Sequence, residues 1–293
     1  MKLSEYFTNE YLINDGDVNL THYSSSSIPG TVTFAETEYF LNQALENECV
    51  VAVITKPELA EKVNTDKGLV RSNAPKRDFF NLHNFMLDKG CFNLVSEGVI
   101  SPSAQIASTA VVKHNVIIED DVVIEDYAVI ESNSILKKGV YVAAHSIIGA
   151  RGMHNTFIDG ERIWVKDAGG VILEENVQVL SSSTVQKSYF FESTHVGKNS
   201  IVSVQCNIGH GATIGSNTLI AGNAQLAGYV KVGDNAWVGP SVTVAHGLTI
   251  GDDAEILIGS TVIQNIAPGK KVSGNFAMDH TKNIRKFTRE SSK

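Results

Sequence analysis

The chain has 293 residues, 43% of them hydrophobic and 19% charged, with a formal net charge of -8 and a pI of ≈ 5.6. That balance reads as a globular protein with length for one large core or two ordinary ones. It excludes the basic surface a nucleic-acid backbone requires, and no apolar run approaches the roughly 18–20 residues of a membrane span.

The opening segment, MKLSEYFTNEYLIND, is polar and acidic. It lacks the basic and apolar stretches of a secretory signal, so a cytoplasmic location is expected. Residues 1–98 carry no repeat. An apolar run from Cys49 to Ile54, then Lys56-Pro57 and the helical-looking PELAEKV, predicts a small α/β domain there. Cys49, Cys91 and Cys206 are far apart in sequence, which suits neither a disulfide framework nor a zinc site and predicts buried thiols.

From residue 99 the sequence is periodic. Aliphatic residues recur every sixth position at Ile100, Ile106, Val112, Ile118, Ile124, Ile130, Leu136, Val142 and Ile148. The register resumes at Val196 and holds through Ile208, Ile214, Leu226 and Val244 to Val262, after a short run, Leu173, Val179 and Val185, that is one residue out of phase. Two residues ahead of most aliphatics stands a small one, such as Ala104, Ala128, Ser134, Cys206 or Ala212. A six-residue unit is a short strand plus a turn, and three units close a triangular coil of about 18 residues. Coils stacked at roughly 4.8 Å then place each inward aliphatic on another. A period of 3.6 or 2 would be needed for a helix or an antiparallel sandwich. The pattern therefore predicts a left-handed parallel β-helix over 99–267, with a projecting loop at 149–170 where the register breaks. Residues 268–293 end in a basic segment read as a terminal cap containing a short helix.

The stretch QCNIGHGATIGSNTLIAGNAQLAGYVKVG resembles the active-site coils of the UDP-3-O-acylglucosamine N-acyltransferases of lipid A synthesis, and of related enzymes that acylate nucleotide-linked amino sugars. ERIWVK and KVSGNFAMDHTKNIRKF look similar to that family too. In its N-terminal domain a Phe-x-x-Asn-x-x-Tyr pattern cradles uracil; here FAETEYF supplies Phe34, Thr37 and Phe40. The resemblance implies transfer of an acyl group from a thioester to an amino sugar, without a permanently bound cofactor, by a homotrimer with sites between subunits. Two departures refine it. Thr37 and Phe40 change the hydrogen bonds offered to the base, which suits a dTDP-linked as well as a UDP-linked sugar. The chain also ends soon after Phe287, where the lipid A enzymes continue into a helical tail that engages acyl carrier protein. An acyl-CoA donor and a surface-polysaccharide sugar are thus favoured; acyl-ACP and lipid A are the alternative.

The transfer needs a base for the amine proton and a donor for the oxyanion. His210 is two residues past an inward position, on an outward corner, and matches the family's catalytic histidine; imidazole titrates near neutrality. Gly228, one coil further, stacks beside it and matches the family's oxyanion N–H. His246, two coils on and about 10 Å away by strand spacing, is an auxiliary substrate-binding candidate with Asn207. Trp164, in the loop, is a candidate to pack on the donor. His145 and His154 are read as surface residues and Cys206 as core. A zinc-dependent carbonic anhydrase on this scaffold needs three convergent imidazoles, two of them five residues apart, which this sequence lacks. A non-catalytic sugar-nucleotide-binding module is a further alternative.

Overall fold

A computed structural model describes residues 1–91, 94–153, 155–158, 160–274, 281, 282, 285 and 288. In the non-repeating part, β1 (Leu12–Asn14), β2 (Leu20–Thr21), β3 (Thr31–Ala35), β4 (Val50–Thr55) and β5 (Gly68–Arg71) form one sheet in the order β1-β5-β4-β3-β2. β2 to β5 run parallel and β1 is antiparallel to β5. Helices α1 (Glu38–Glu46), α2 (Pro57–Ala60) and α3 (Pro75–Asp88) complete it. The helical reading of PELAEKV holds only as far as Ala60: the next residues form tighter turns, Lys62 N–H bonding to Leu59 and Val63 N–H to Ala60.

Alternation along the strands sends apolar residues to both faces. Val32, Ala52 and Ile54 pack with Phe79, Leu82 and Met86 of α3, while Ala35, Val50 and Val53 pack with Leu41, Ala44 and Leu59. The C-terminal ends of β2, β3 and β5 consequently open together onto Tyr23–Ser25, Glu36–Thr37 and the start of α3. Parallel sheets flanked by helices bind ligands at that end.

From Val99 to Val272 the chain forms three parallel sheets closed into a triangular coil. Ile124 pairs with Ile106 on one side and Val142 on the other, so one coil is three of the sequence repeats. The inward aliphatics form one continuous buried column from Val116 to Ile266. Three residues ahead of them, the corner residue takes a left-handed backbone conformation, as at Asn115, Asp121, Asn133, Asn199 and Asn217. Asn, Asp and Gly tolerate that conformation best. Along one edge the corner side chains also bond to each other, Asn176 Nδ2 donating to Asn199 Oδ1 at 3.1 Å and Asn199 Nδ2 to Asn217 Oδ1 at 3.2 Å.

Two insertions interrupt the coils. Leu136 pairs with Leu173, and Leu173 with Val196, and both steps along the chain exceed one regular coil, the first by much more than the second. Each break alone shifts the phase of the repeat. Their lengths together make a whole number of repeats, so the second break restores the phase that the first one lost, which explains the out-of-phase run from Leu173 to Val185. Both insertions emerge from the same edge of the prism, after Ala150 and after Gln186.

Where the sequence predicts a loop, the longer insertion contains a hairpin, Asn155–Ile158 paired with Glu161–Trp164, because its alternating residues can bond across a turn at Gly160. α3 straps it down. Asn84 Nδ2 donates to the Trp164 carbonyl at 2.8 Å, and Lys166 N–H donates to Asn84 Oδ1 at 2.9 Å. The shorter insertion drives Phe190, fully buried, into the core beneath the N-terminal sheet, beside Val165 and Ala168. The two parts of the protein therefore share a core.

The terminal segment 268–293 lies largely outside the described residues; Lys271–Val272 adds a last strand, and Thr281, Lys282, Arg285 and Thr288 are helical. Cys206 is buried, as expected, but Cys49 is half-buried and Cys91 exposed, the latter because it follows the surface end of α3. Among the described residues no helix is long and apolar enough to cross a membrane.

The longer insertion rejoins the coil through Gly169 and Gly170. A side chain on Gly170 would overlap the Asn133 carbonyl oxygen, which is backbone and cannot step aside. Gly170→Ala is expected to destabilise the protein by about 1–3 kcal/mol, read as a lower denaturant midpoint at unchanged m-value.

Candidate active site

The edge that carries the insertions continues through three regular coils. Strand Asn207–Ile208 pairs with Gln225–Leu226, and that strand with Thr243–Val244. The following corners, His210-Gly211, Gly228-Tyr229 and His246-Gly247, are stacked in that order. Two coil spacings amount to about 9.6 Å, yet the rings of His210 and His246 approach to 6.0 Å between centroids. Gly228 allows this. A Cβ there would overlap the His210 ring, so the missing side chain is the space into which the imidazole leans. The Gly228 N–H has no hydrogen-bond partner among the described residues, which fits the donor role expected of it.

Tyr229 occupies a corner conformation that suits Gly or Asn, at φ 58. Such a backbone costs of order 1–3 kcal/mol in a bulky residue and persists only where the surroundings enforce it. Its ring stands edge-on to both histidines, 5.2 Å from His210 and 5.6 Å from His246. Gly211 leaves room beneath, since a Cβ there would lie 2.6 Å from Tyr229 Cε1. The Tyr229 hydroxyl is buried.

The shorter insertion closes the site from the preceding coil. Tyr189 packs 5.4 Å from His210, and its hydroxyl lies 3.0 Å from that of Tyr23 in the N-terminal part. Ser188 Oγ donates to Glu192 Oε1 at 3.1 Å, and Glu192 sits 3.6 Å from His22 Nε2. Burial pushes the Tyr189 and Tyr229 phenols far above their ordinary range, reinforced at Tyr189 by the neighbouring Tyr229 and Tyr23 and at Tyr229 by Glu192, so both stay neutral. For Glu192 burial works upward as well, but its contacts with His22, Tyr229 and Ser188 outweigh it and hold the carboxyl below the usual glutamate range.

Three cavities surround these groups. One of ≈ 340 Å³ is lined by His210, His246, Tyr189, Tyr23, Phe80 and Lys76. A second, of ≈ 550 Å³ at the C-terminal end of the sheet, brings together Phe34, Thr37 and Phe40 with Tyr39, Tyr23 and Lys76. Thr37 precedes α1 but makes no side-chain cap bond. Phe34 also packs 5.0 Å from Phe79, so it serves the core as well as the cavity. The third, of ≈ 560 Å³, reaches His246 from the other side past His22, Glu192, Tyr229 and Lys231.

Other candidates lie elsewhere. Trp164 is 53% exposed, with the Arg151 guanidinium 4.8 Å over its ring, and Asn207 Oδ1 accepts from Gln186 Nε2 at 2.9 Å; neither lines these cavities. His145 is an exposed corner stacked 5.2 Å from Tyr127, and His154 is outside the described residues. Tyr23, Lys76, Tyr189, Glu192 and Tyr229 escaped the sequence reading. The phase slip before Val196 marks the insertion that carries Tyr189 and Glu192, and a tyrosine at a glycine-type corner marks Tyr229. Among the described residues no three His, Cys, Asp or Glu side chains converge as a metal site.

No protein-family model and no curated protein matches the sequence. Among solved structures, the UDP-N-acetylglucosamine acyltransferase of Francisella novicida matches 66% of this chain and 72% of its own, at 23% identity and a TM-score of 0.50. The chain has the left-handed parallel β-helix fold. Lower on the scale are the UDP-N-acetylglucosamine O-acyltransferase of Moraxella catarrhalis, at 19% identity over 65% of this chain and 76% of that one with a TM-score of 0.47, and a mutant perosamine N-acetyltransferase from Caulobacter crescentus in complex with CoA and GDP-perosamine, at 15% over 85% and 95% with a TM-score of 0.30. At these identities the likeness speaks to the fold, and the function rests on the site.

Glu192 gives the site a pH signature. Its folded pKa lies below the unfolded one, so its stabilisation is complete above the unfolded value and is lost as pH falls through the folded value. Wild-type stability should therefore fall as pH drops into and below the ordinary glutamate range, and Glu192→Gln should show a shallower fall in chemical denaturation between neutral pH and pH about 3.

Proposed function

We propose that the protein is an N-acyltransferase that moves an acyl group from a thioester to the amine of a nucleotide-linked amino sugar. The observation that carries this is the convergence of His210 and His246 over Gly228, at the point where two cavities meet. A transfer between two substrates needs two approaches to one site: the first cavity reaches both His210 and His246, and the second reaches His246 beside the base. The cavity that holds His210 shares Tyr23 and Lys76 with the aromatic cavity at the sheet, so the sugar lies beside His210 while the base stacks among Phe34, Thr37 and Phe40.

In this reading the sugar amine attacks the thioester carbonyl, a C–N bond forms, and His210 takes the amine proton. The Gly228 N–H stabilises the oxyanion of the tetrahedral intermediate. The C–S bond then breaks, and the imidazolium returns the proton to the departing thiolate. His246 and the neutral Tyr189 hold polar groups of the substrates nearby. The fold shared with a UDP-N-acetylglucosamine acyltransferase is compatible with this assignment. A dTDP- or UDP-linked sugar for surface polysaccharide, supported by Thr37 and Phe40 in the base pocket, belongs to the same proposal, as do coenzyme A as the carrier, assembly as a homotrimer and a cytoplasmic location.

His210→Ala should keep the fold and lower turnover by about 100- to 10,000-fold; near-wild-type activity would remove His210 from the mechanism. A matrix of UDP- and dTDP-amino sugars against short acyl-CoAs and long 3-hydroxyacyl carrier protein, followed by thiol release and product mass, tests the substrates. Turnover with a dTDP-amino sugar and acyl-CoA is the expected result. Turnover only with UDP-3-O-acylglucosamine and acyl carrier protein would assign the enzyme to lipid A, and no turnover in any cell would sink the catalytic reading. Light scattering at micromolar concentration should give three times the chain mass.

A further inference from the structure

We infer that Lys76 is the anchor for the diphosphate of the nucleotide sugar, and that it links the aromatic cavity to the histidine cavity. This rests on the proposed substrate class and adds to it a residue, and a location, for the charged middle of the ligand.

The cavity around Phe34, Thr37 and Phe40 and the cavity around His210 and His246 have two lining residues in common, Tyr23 and Lys76. A ligand with its base in one and its sugar in the other must pass its linking group between these two side chains. In a nucleotide sugar that group is a diphosphate carrying two negative charges. Lys76 is the one permanently cationic residue lining either cavity among the described residues.

The neighbouring cation is already committed: Arg77 pairs with Glu161 at 3.8 Å and donates to the Ile158 carbonyl at 3.4 Å. Lys76 makes no ion pair or hydrogen bond among the described residues. Its position is also one that helix energetics disfavours. It is the second residue of α3, behind Pro75, where the positive end of the helix macrodipole repels a cation. A residue placed against its local preference in a cavity wall has a task there. With an anion present the same position becomes favourable, because the ammonium and the open first-turn amides of a 14-residue helix act together. Glu36, which lines the aromatic cavity, is suited to accept hydrogen bonds from ribose hydroxyls on the far side of the diphosphate.

The test is calorimetric and needs no acyl donor. Wild-type protein is titrated with uridine, thymidine, UDP and dTDP, and the titrations are repeated with Lys76→Gln and Lys76→Arg. The expected result is that a nucleoside diphosphate binds more tightly than its nucleoside, and that Lys76→Gln weakens the diphosphate about 10- to 100-fold while leaving the nucleoside unchanged. Lys76→Arg should retain most of the affinity. The thermal midpoint of free Lys76→Gln should equal or exceed that of wild type, since a cation has been removed from a helix N-terminus. If Lys76→Gln binds UDP and dTDP as well as wild type, or loses nucleoside and diphosphate equally, Lys76 is no diphosphate anchor, and the acyltransferase proposal is untouched. If wild type binds none of the four ligands, the nucleotide-sugar reading falls and this inference falls with it.

Discussion

Everything in this protein depends on the closure of the coil after three repeats. Because Ile124 must lie between Ile106 and Val142 to bury its side chain, residues three repeats apart become neighbours whatever their character. The buried column from Val116 to Ile266 is a ladder of such pairings. A slip of one residue would turn every inward side chain outward, so the apolar core fixes with equal strictness the corners, which contribute little to stability and carry the chemistry. His210, Gly228 and His246 are close because Ile208, Leu226 and Val244 are stacked.

The site arises where that regularity is broken and then restored. Both insertions leave the prism at one edge, and the next coils place the histidines on the same edge. The longer insertion is strapped to α3 through Asn84, and the shorter one brings Tyr189 and Glu192 against Tyr229. The cost is local: a tyrosine in a conformation that asparagine or glycine would adopt more easily, and a carboxylate drawn out of water. Neighbouring groups offset both, with Gly211 making room for the ring and His22 meeting the charge. At this edge strain and buried polarity coincide, whereas the edge with the asparagine ladder places Asn176, Asn199, Asn217 and Asn235 at its left-handed corners.

Much of this is legible from periodicity alone. The coils, their register, the break after Ile148 and the stacking of His210 on Gly228 follow from six-residue spacing, because the fold translates sequence separation directly into distance. Spacing fails where side chains lean, and so the two-coil separation expected between His210 and His246 shrinks to 6.0 Å between rings once Gly228 vacates the corner between them. It fails also for the N-terminal part. Phe34, Thr37 and Phe40 stand out by resemblance to a pattern, but Tyr23 and Lys76, which join their cavity to the histidines, belong to segments whose positions depend on a parallel sheet and leave no periodic trace. The shorter insertion shows itself as a slip in phase; that it carries a buried phenylalanine into another layer does not.

That phenylalanine has a consequence for how the polypeptide is made. The N-terminal sheet emerges first from the ribosome, yet its lower core lacks Phe190, Val165 and Ala168 until the coils up to that point have been synthesised. The early layer must wait, incompletely packed, for a segment far downstream in the chain, a contact of large sequence separation that slows folding. The α/β layer completes its packing only when the insertion that carries Phe190 docks. A chain that ends before Phe190 lacks the side chain that fills the space among His22, Tyr23, Phe79 and His83, and apolar surface left open in that way favours aggregation.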